Sequence, residues 1–284
     1  MQANFLSVVL LPLALAIIMM GLGLSLRIED FKRVIVFPRA VLIGLLCQMI
    51  LLPVICYFIA SGFGLSAEMA VGLMLLSASP GGPTANLYSH MAKGDVALNV
   101  TLTAINSLIS VFSITFIVNF AMASFMQTDQ VVPLQFKKII EVCVVVLGPV
   151  SIGMLVRSRA SAIAEKLSKP VKIASASFLV LVIILTVLKE KAHILHDFQM
   201  VGIPTLLLNV LSMGIGYFVP RLFQLGKAQA IAIGMEIGIH NGTLAIFIAL
   251  TVIGNSTMAT PAVIYSLIMF FTAAIFGYWV NLKK

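Results

Sequence analysis

Long apolar runs alternate with short polar connections along this chain. An α-helix needs roughly 20 apolar residues to cross the hydrocarbon core of a bilayer. Nine runs of about that length can be marked out, so the pattern predicts an all-α integral membrane protein with nine transmembrane helices. The predicted spans are residues 4–26, 37–60, 67–92, 96–124, 132–156, 170–189, 198–220, 227–253 and 258–282.

Two of these runs are interrupted near their midpoints. The third span contains SASPGGPTAN (77–86), and the eighth contains GMEIGIHNGT (234–243). Prolines and glycines at membrane depth break the helical hydrogen-bond ladder, which is tolerated where the freed groups line a cavity or bind an ion. Glycines that only permit close helix packing are the alternative, but packing does not explain the polar residues beside both breaks.

The two interruptions occupy corresponding places in two groups of four spans. Each is the third span of its group, and the fifth span separates the groups, so the second group starts on the opposite side of the membrane. This arrangement predicts an inverted repeat. Paired interrupted spans in two halves are typical of the binding site of a secondary transporter.

The composition supports a membrane protein. Of the 284 residues, 61% are hydrophobic and 10% are charged, and the mean hydropathy is +1.12. Ordinary soluble domains contain about 25% charged residues, so the lipid bilayer is the expected surrounding. The three cysteines lie in apolar segments without metal-ligand spacing and are interpreted as small buried side chains. Residues 4–26 are interpreted as a retained helix, because no basic segment precedes them and no clear cleavage motif follows.

The basic residues indicate the orientation in the membrane. The net charge is +8, but these residues do not form a clustered face, so no nucleic-acid partner is expected. Fourteen of them fall on one side of the predicted spans and four on the other. The positive-inside rule therefore predicts an external N-terminus and a cytoplasmic C-terminus. The smaller group is Lys137, Lys138, Lys189 and Lys191.

Glu236 is the acidic residue placed deepest in a predicted span. A carboxylate at the bilayer centre costs about 2.5 kcal/mol or more on insertion scales, and no lysine or arginine occupies a neighbouring turn. The sequence therefore predicts a bound cation beside Glu236. Oxygen ligands suit a hard cation such as sodium, by the same logic that governs calcium sites.

Several polar residues in other spans can contribute oxygens. Asn99 and Thr103 lie four positions apart and share a helical face. An isolated Gln48 lies in the second span, where an interhelical hydrogen bond is the simpler interpretation. His240 follows Glu236 by four positions and is a candidate proton-responsive group, provided that the break lets the two share a face. Further candidate oxygens belong to Thr84, Asn86 and Asn106.

These motifs resemble the bile acid:sodium symporter family, specifically its bacterial members. The similarity is carried by IIMMGLGLSLRIEDF (17–31), by Gln48 followed by Pro53, by residues 67–107 and by EIGIHNGTLA (236–245), and it extends over essentially the whole chain. The resemblance implies one transporter unit, 1–284, in which two discontinuous helices cross near the midplane. It further implies a core domain from about 37–124 and 198–282, and a panel domain from about 4–26 and 132–189.

The resemblance also implies two sodium sites beside the crossing. The first consists of Ala85, Asn86, Asn99, Thr103 and Glu236. The second consists of Gln48, Glu236, Ile237, Ile239 and His240, with carbonyl oxygens from the two isoleucines.

The chain departs from the family pattern at three of these positions. Ala85 stands where a serine is usual, Asn99 where a serine is common, and His240 where the family has a glutamine. Because a neutral imidazole has no oxygen, the alternative to two sodium ions is a single sodium ion, or a proton taking part through His240.

The half-helix N-termini at the breaks carry free N–H groups and partial positive charge, which attract anions. The candidate substrate contacts are Gly82, Thr84, Asn241, Gly242 and Thr243. The resemblance implies organic-anion substrates, such as bile acids and pantoate-like or keto acids, and a small monocarboxylate is favoured here. The predicted function is sodium-coupled symport by alternating access, without a cofactor. A channel and a membrane enzyme are the less favoured classes, and the oligomeric state stays open.

Overall fold

The computed structural model describes residues 11–126, 136–189 and 194–282. Within those ranges the backbone forms thirteen α-helices and no named strand. The helices are α1 (Leu11–Ser25), α2 (Ile28–Lys32), α3 (Pro38–Leu46), α4 (Leu52–Gly62), α5 (Ala67–Ala78), α6 (Pro83–Met91), α7 (Val96–Phe125), α8 (Phe136–Arg159), α9 (Ser161–Lys189), α10 (Ile194–Leu222), α11 (Lys227–Gly238), α12 (Gly242–Phe247) and α13 (Thr260–Leu282).

Four helical stretches among the described residues are long and apolar enough to cross a membrane. They are Pro38–Gly62, Val96–Phe125, Phe198–Leu222 and Thr257–Leu282. Large apolar side chains also cover the outside of the helices; Ile35 is 83% exposed, and Phe116 and Phe271 are about as exposed. Soluble monomers rarely present such extended apolar patches to water. The fold is therefore that of an all-helical membrane protein.

The helix that contains the sixth predicted span is longer than that span. The sequence pattern starts it at residue 170, whereas α9 begins at Ser161 and is separated from α8 by Ala160 alone. Glu165, Lys166 and Lys169 form exposed positions on the first turns of α9. A criterion based on apolar runs stops at these charges, although the helix continues through them. Residues 4–10 and 132–135 of the first and fifth predicted spans lie outside the described residues.

Two π-helical segments interrupt the α-helical geometry, and neither was predicted. Cys47–Leu51 lies between α3 and α4, and Ile248–Ile253 follows α12. A π-turn inserts an extra residue into a helix, which rotates the side chains around it, and such turns are frequent at functional sites. Gln48 lies in the first of these segments.

The two interrupted spans are built alike. Their first halves, α5 and α11, both contain 12 residues. Each follows a turn in which one residue, Gly64 or Gln224, has a φ of +60°. The next residue, Leu65 or Leu225, is buried and donates its N–H to a carbonyl five positions earlier, at 3.2 Å and 2.9 Å respectively. This is the hydrogen-bonding pattern of the Schellman motif, which ends one helix and redirects the chain into the next.

Helix packing places these halves in the interior. Helix α5 packs against α4 and α7, and α11 packs against α6, α7 and α10. Every residue from Met69 to Ala78 and from Ala230 to Gly238 is buried. Helix α1 packs mainly against α8 and α9, and it meets the rest of the chain through α12.

Glycines allow α1 and α8 to approach each other closely. A Cβ atom on Gly153 would lie 2.5 Å from the carbonyl oxygen of Met20 and 2.7 Å from the amide nitrogen of Leu24. Both are backbone atoms, which cannot rotate out of the way. The α1–α8 contact therefore requires glycine at this position.

We expect Gly153→Ala to lower the melting temperature of the purified protein in detergent, because overpacking costs about 1–3 kcal/mol. The matched control is Gly148→Ala in the same helix, where an added Cβ meets no atom within 4 Å. An equal melting temperature for the two variants would contradict the proposed close contact.

Candidate functional site

The two breaks lie directly against each other. Helix α5 ends at Ala78, and Pro83 opens α6; helix α11 ends at Gly238, and Gly242 opens α12. Gly81 and His240 form an antiparallel β-bridge between the breaks. The N–H of Asn241 donates to the carbonyl of Pro80 at 2.8 Å. The interruptions predicted at 77–86 and 234–243 are therefore present, although each is shorter than its motif.

Local sequence explains why the helices stop here. Proline lacks an N–H and clashes with the preceding helical turn, so Pro80 and Pro83 end α5 and allow a new helix to start. In the second break, the side chain of Asn241 caps α12 by accepting the N–H of Leu244 at 3.0 Å. An asparagine at this position stabilises the start of a helix by satisfying one of its free donors.

Glu236 lies in the last turn of α11, and its side chain is fully buried. Thr103 Oγ1 donates to Glu236 Oε2 at 2.6 Å, and Asn106 Nδ2 donates to Oε1 at 3.0 Å. Among the described residues, neither of the two salt bridges includes Glu236. Its negative charge is thus met by neutral donors from α7.

Gly81 lies directly against the Glu236 carboxylate. A Cβ atom at Gly81 would lie 2.5–2.6 Å from the carboxylate atoms of Glu236. No side chain can occupy this position without displacing the glutamate. The break in the first span therefore supplies the space into which Glu236 fits.

Three asparagine oxygens on α6 and α7 have no hydrogen-bond donor. They are Oδ1 of Asn86, Asn99 and Asn106, all buried. The Nδ2 group of Asn99 donates to the carbonyl of Ala232 at 2.7 Å, and that of Asn106 donates to Glu236. These bonds fix both amides so that the oxygen is the free atom.

Two members of the first predicted cation set, Thr103 and Asn99, lie on the part of α7 that faces the last turns of α11. Thr103 binds the carboxylate directly, and Asn99 lies one turn earlier on α7. Asn106 was noted in the sequence but not assigned to the set, although positions 99, 103 and 106 follow one helical face. Ala85 is buried and offers no side-chain oxygen. Buried amide oxygens without donors are costly and suit a hard cation.

Gln48, in the π-helical segment between α3 and α4, forms hydrogen bonds to the first break. Its Nε2 group donates to the carbonyl of Ser79 at 3.0 Å and to that of Ser77 at 3.2 Å. Its Oε1 atom is buried without a partner. The simple interhelical hydrogen bond considered from the sequence is therefore present, and an oxygen remains free beside it.

His240 lies in the second break rather than on a helical face with Glu236, because α11 ends at Gly238. Its Nδ1 atom is 2.9 Å from the carbonyl oxygen of Ser79. A carbonyl only accepts, so Nδ1 carries the proton, and in the neutral ring Nε2 is an acceptor. That Nε2 atom is buried without a partner, and the ring lies 5.3 Å from the ring of Tyr265.

The carbonyl of Gly238, freed by the end of α11, is already occupied. Asn209 Nδ2 donates to it at 2.9 Å and the hydroxyl of Tyr265 at 3.0 Å. These donors do not reach the carbonyls of Ile237 and Ile239, which were predicted as cation ligands. Asn209 and Tyr265 were not identified from the sequence, because nothing in α10 or α13 marks which side chain faces the break.

The predicted substrate residues lie at the starts of α6 and α12, the helices that follow the two breaks. Gly82 precedes α6 and Thr84 lies in its first turn, half-buried. Asn241 is 6% exposed, Thr243 is 2% exposed, and the Nδ2 donor of Asn241 has no partner. Gly242 packs against Ser266 of α13 so closely that a Cβ would overlap it.

A separate cavity of about 390 Å³ lies between α6, α11 and α13. It is lined by Met235, which precedes Glu236, and by Lys93, Tyr88, Tyr278 and neighbouring small residues. None of the predicted site residues lines it, so this cavity gives no support to the substrate assignment.

Comparison with known proteins identifies the family. A model described as the sodium bile acid symporter family matches residues 12–197. The "Uncharacterized sodium-dependent transporter YocS" of Bacillus subtilis is 28% identical over 254 residues, 89% of this chain and 77% of that protein. The human "Ileal sodium/bile acid cotransporter" is 26% identical over 289 residues, 99% of this chain and 82% of that protein.

A plant relative shows the same similarity with a longer chain. The rice "Probable sodium/metabolite cotransporter BASS2, chloroplastic" is 28% identical over 263 residues, and the match covers 90% of this chain but only 60% of that protein. The family predicted from the motifs is confirmed. This chain belongs to the sodium bile acid symporter family, whose members are sodium-coupled transporters rather than enzymes.

Proposed function

We propose that this protein is a bacterial inner-membrane symporter that couples sodium to the uptake of a small organic anion. The observation that carries the proposal is the buried Glu236 carboxylate, which lies against Gly81 of the first break and faces Asn99 and Asn106 of α7, whose amide oxygens lack donors. This arrangement is suited to a monovalent cation.

The cation site consists of Asn86, Asn99, Thr103 and Glu236, together with Asn106. Burying an unpaired carboxylate in a membrane is unfavourable by about 2.5 kcal/mol or more, and a sodium ion removes that charge. Sodium also satisfies the free Oδ1 atoms of the asparagines, because a hard cation prefers oxygen ligands. Ala85 precedes Asn86 in α6 and has only backbone atoms to contribute to the site. The ion is cargo, and no further cofactor is required.

The anion binds where the second halves of the two interrupted helices begin. Free N–H groups and the positive end of the helix dipole favour a carboxylate there. Thr84 and the unpartnered Nδ2 of Asn241 are the side-chain donors, and Gly82, Gly242 and Thr243 contribute at the same ends. The ileal relative is named for bile acid. For this chain we favour a smaller, pantoate-like or keto acid.

The architecture supports transport by alternating access. We assign residues 37–124 and 198–282 to a core and residues 4–26 and 132–189 to a panel within nine spans. The packing of α1 on α8 and α9 supports the panel. The matching turns before α5 and α11 support an inverted repeat, the construction on which rocking-type transporters depend.

The orientation of the protein in the membrane is inferred from the basic residues. Fourteen of eighteen lie on the side assigned to the cytoplasm, so the C-terminus faces the cytoplasm. Sodium and the anion enter from the outside. Sodium binding neutralises Glu236 and orders the junction, the anion docks, and the core moves against the panel to expose both ligands inward.

We expect Glu236→Gln to reduce sodium-driven uptake by more than about tenfold, which corresponds to about 1.4 kcal/mol of lost cation binding. The change preserves the size of the side chain and removes its charge. The measurement is uptake into proteoliposomes across a panel of organic acids, with sodium and proton gradients imposed separately.

Glu68→Gln is the matched control for this experiment. Glu68 lies in the first turn of α5 and accepts a hydrogen bond from Asn255 at 2.8 Å, away from the junction. This variant should retain uptake. Undiminished sodium-driven uptake by correctly inserted Glu236→Gln would refute the cation assignment.

We expect Gly81→Ala to abolish uptake while the protein still inserts, because its Cβ would lie 2.5–2.6 Å from the Glu236 carboxylate. The matched control is Gly214→Ala in α10, where an added Cβ meets no atom within 4 Å. Melting temperature with and without sodium provides a second readout. Sodium should stabilise the wild type and the control, but not Gly81→Ala, since a ligand stabilises only the state that binds it.

A further inference from the structure

We propose that this transporter binds and moves one sodium ion per substrate anion, because His240 holds the two breaks together where a second cation would otherwise do so. This inference rests on the proposed sodium-coupled symport and concerns its stoichiometry. The supporting contacts are the hydrogen bonds around Ser79.

The carbonyl of Ser79 is freed by the end of α5 and accepts two donors from outside its own segment. Gln48 Nε2 lies 3.0 Å from it and His240 Nδ1 lies 2.9 Å from it. With the Asn241–Pro80 hydrogen bond at 2.8 Å and the bridge between Gly81 and His240, these contacts fasten the second break to the first. No cation is needed for that connection.

The second predicted sodium set lacks an oxygen at one of its five positions. The free atom of His240 is Nε2, a nitrogen, whereas sodium is a hard cation that selects oxygen. The carbonyl of Gly238 is occupied by Asn209 and Tyr265. Gln48 Oε1 and the carbonyls of Ile237 and Ile239 are the oxygens left beside the Glu236 carboxylate.

The first predicted cation set, together with Asn106, differs in chemistry. There the free atoms are the Oδ1 oxygens of Asn86, Asn99 and Asn106. The first set thus offers three amide oxygens that lack donors. The second offers the Gln48 amide oxygen but an imidazole nitrogen at His240, and the Gly238 carbonyl of the same break is already in use. A single sodium ion on the first set fits the residues present, whereas the second set implied by the family is incomplete at His240.

The stoichiometry has an electrical consequence. One sodium ion carried with one monocarboxylate moves no net charge, so uptake is independent of membrane potential. Two sodium ions would carry one net positive charge and make uptake respond to the potential. The number of coupled ions can therefore be measured from thermodynamics without knowledge of rates.

The test measures the anion gradient that just stops net flux in proteoliposomes, with the potential set by potassium and valinomycin. For the wild type, we expect a sodium gradient of about tenfold to balance an opposing anion gradient of about tenfold, independent of the potential. A balance near a hundredfold at zero potential, or uptake driven by a proton gradient in the absence of sodium, would overturn the inference.

His240→Gln supplies the missing oxygen and should move the system to two sodium ions. The balancing anion gradient should then rise to about a hundredfold at zero potential and change when the potential changes. His90→Gln is the matched control, because His90 is exposed in the last turn of α6. An unchanged one-to-one balance in active His240→Gln would show that His240 does not determine the stoichiometry.

Equilibrium binding of radioactive sodium to purified protein gives an independent count that needs no substrate. We expect one ion per wild-type chain and two per His240→Gln chain. Two ions on the wild type would overturn the inference even if uptake is sodium-driven. By contrast, the absence of sodium-driven uptake for every anion in the panel would refute the proposed function, while the binding count would still test the role of His240.

Discussion

The buried carboxylate of Glu236 is the constraint on which the rest of the junction depends. Its charge faces no basic side chain in a salt bridge within the described part of the chain, and in a membrane interior that charge must be stabilised locally. Thr103 and Asn106 provide two donors, and Gly81 leaves the space. Changing any of these alters the environment of one charge, so the residues act as a unit although they come from separate helices.

The interruption of two helices creates this environment, but it also leaves backbone N–H and C=O groups without their helical partners. Each break frees backbone groups that would be costly to leave unpaired away from water. The structure pairs many of them across the junction: Pro80 accepts from Asn241, Ser79 accepts from Gln48 and His240, and Gly238 accepts from Tyr265. The junction is therefore a hydrogen-bonded structure in its own right, not a flexible gap between half-helices.

The positions of the breaks were predictable because they depend on local chemistry. Proline cannot continue a helix, so the residues SASPGGPTAN predict an interruption without any information about the rest of the fold. Membrane location and the family could likewise be predicted from apolar run length and motif. The importance of Glu236 followed from the high cost of a carboxylate in an apolar span.

The pairing of side chains across the junction could not be predicted in the same way. Gln48 donates to Ser79 from a π-helical segment. The pattern of apolar residues does not indicate where a π-turn inserts an extra residue into a helix. The role of Asn209 depends on the packing of α10 against α11. The start of α9 was missed for a related reason: charged residues end an apolar run without ending a helix.

The two breaks contribute unequally to the hydrogen bonds of the junction, and this inequality supports the proposed position of the cation. The first break contributes mainly acceptors, since its prolines remove N–H donors and leave the carbonyls of Ser79 and Pro80 exposed to partners. The second break supplies donors to those carbonyls through His240 and Asn241. These two carbonyls are therefore satisfied within the junction. Near Glu236, Asn99 and Asn106 direct their donors toward a backbone carbonyl and the carboxylate and leave their oxygens free, and it is these oxygens that we propose a cation completes.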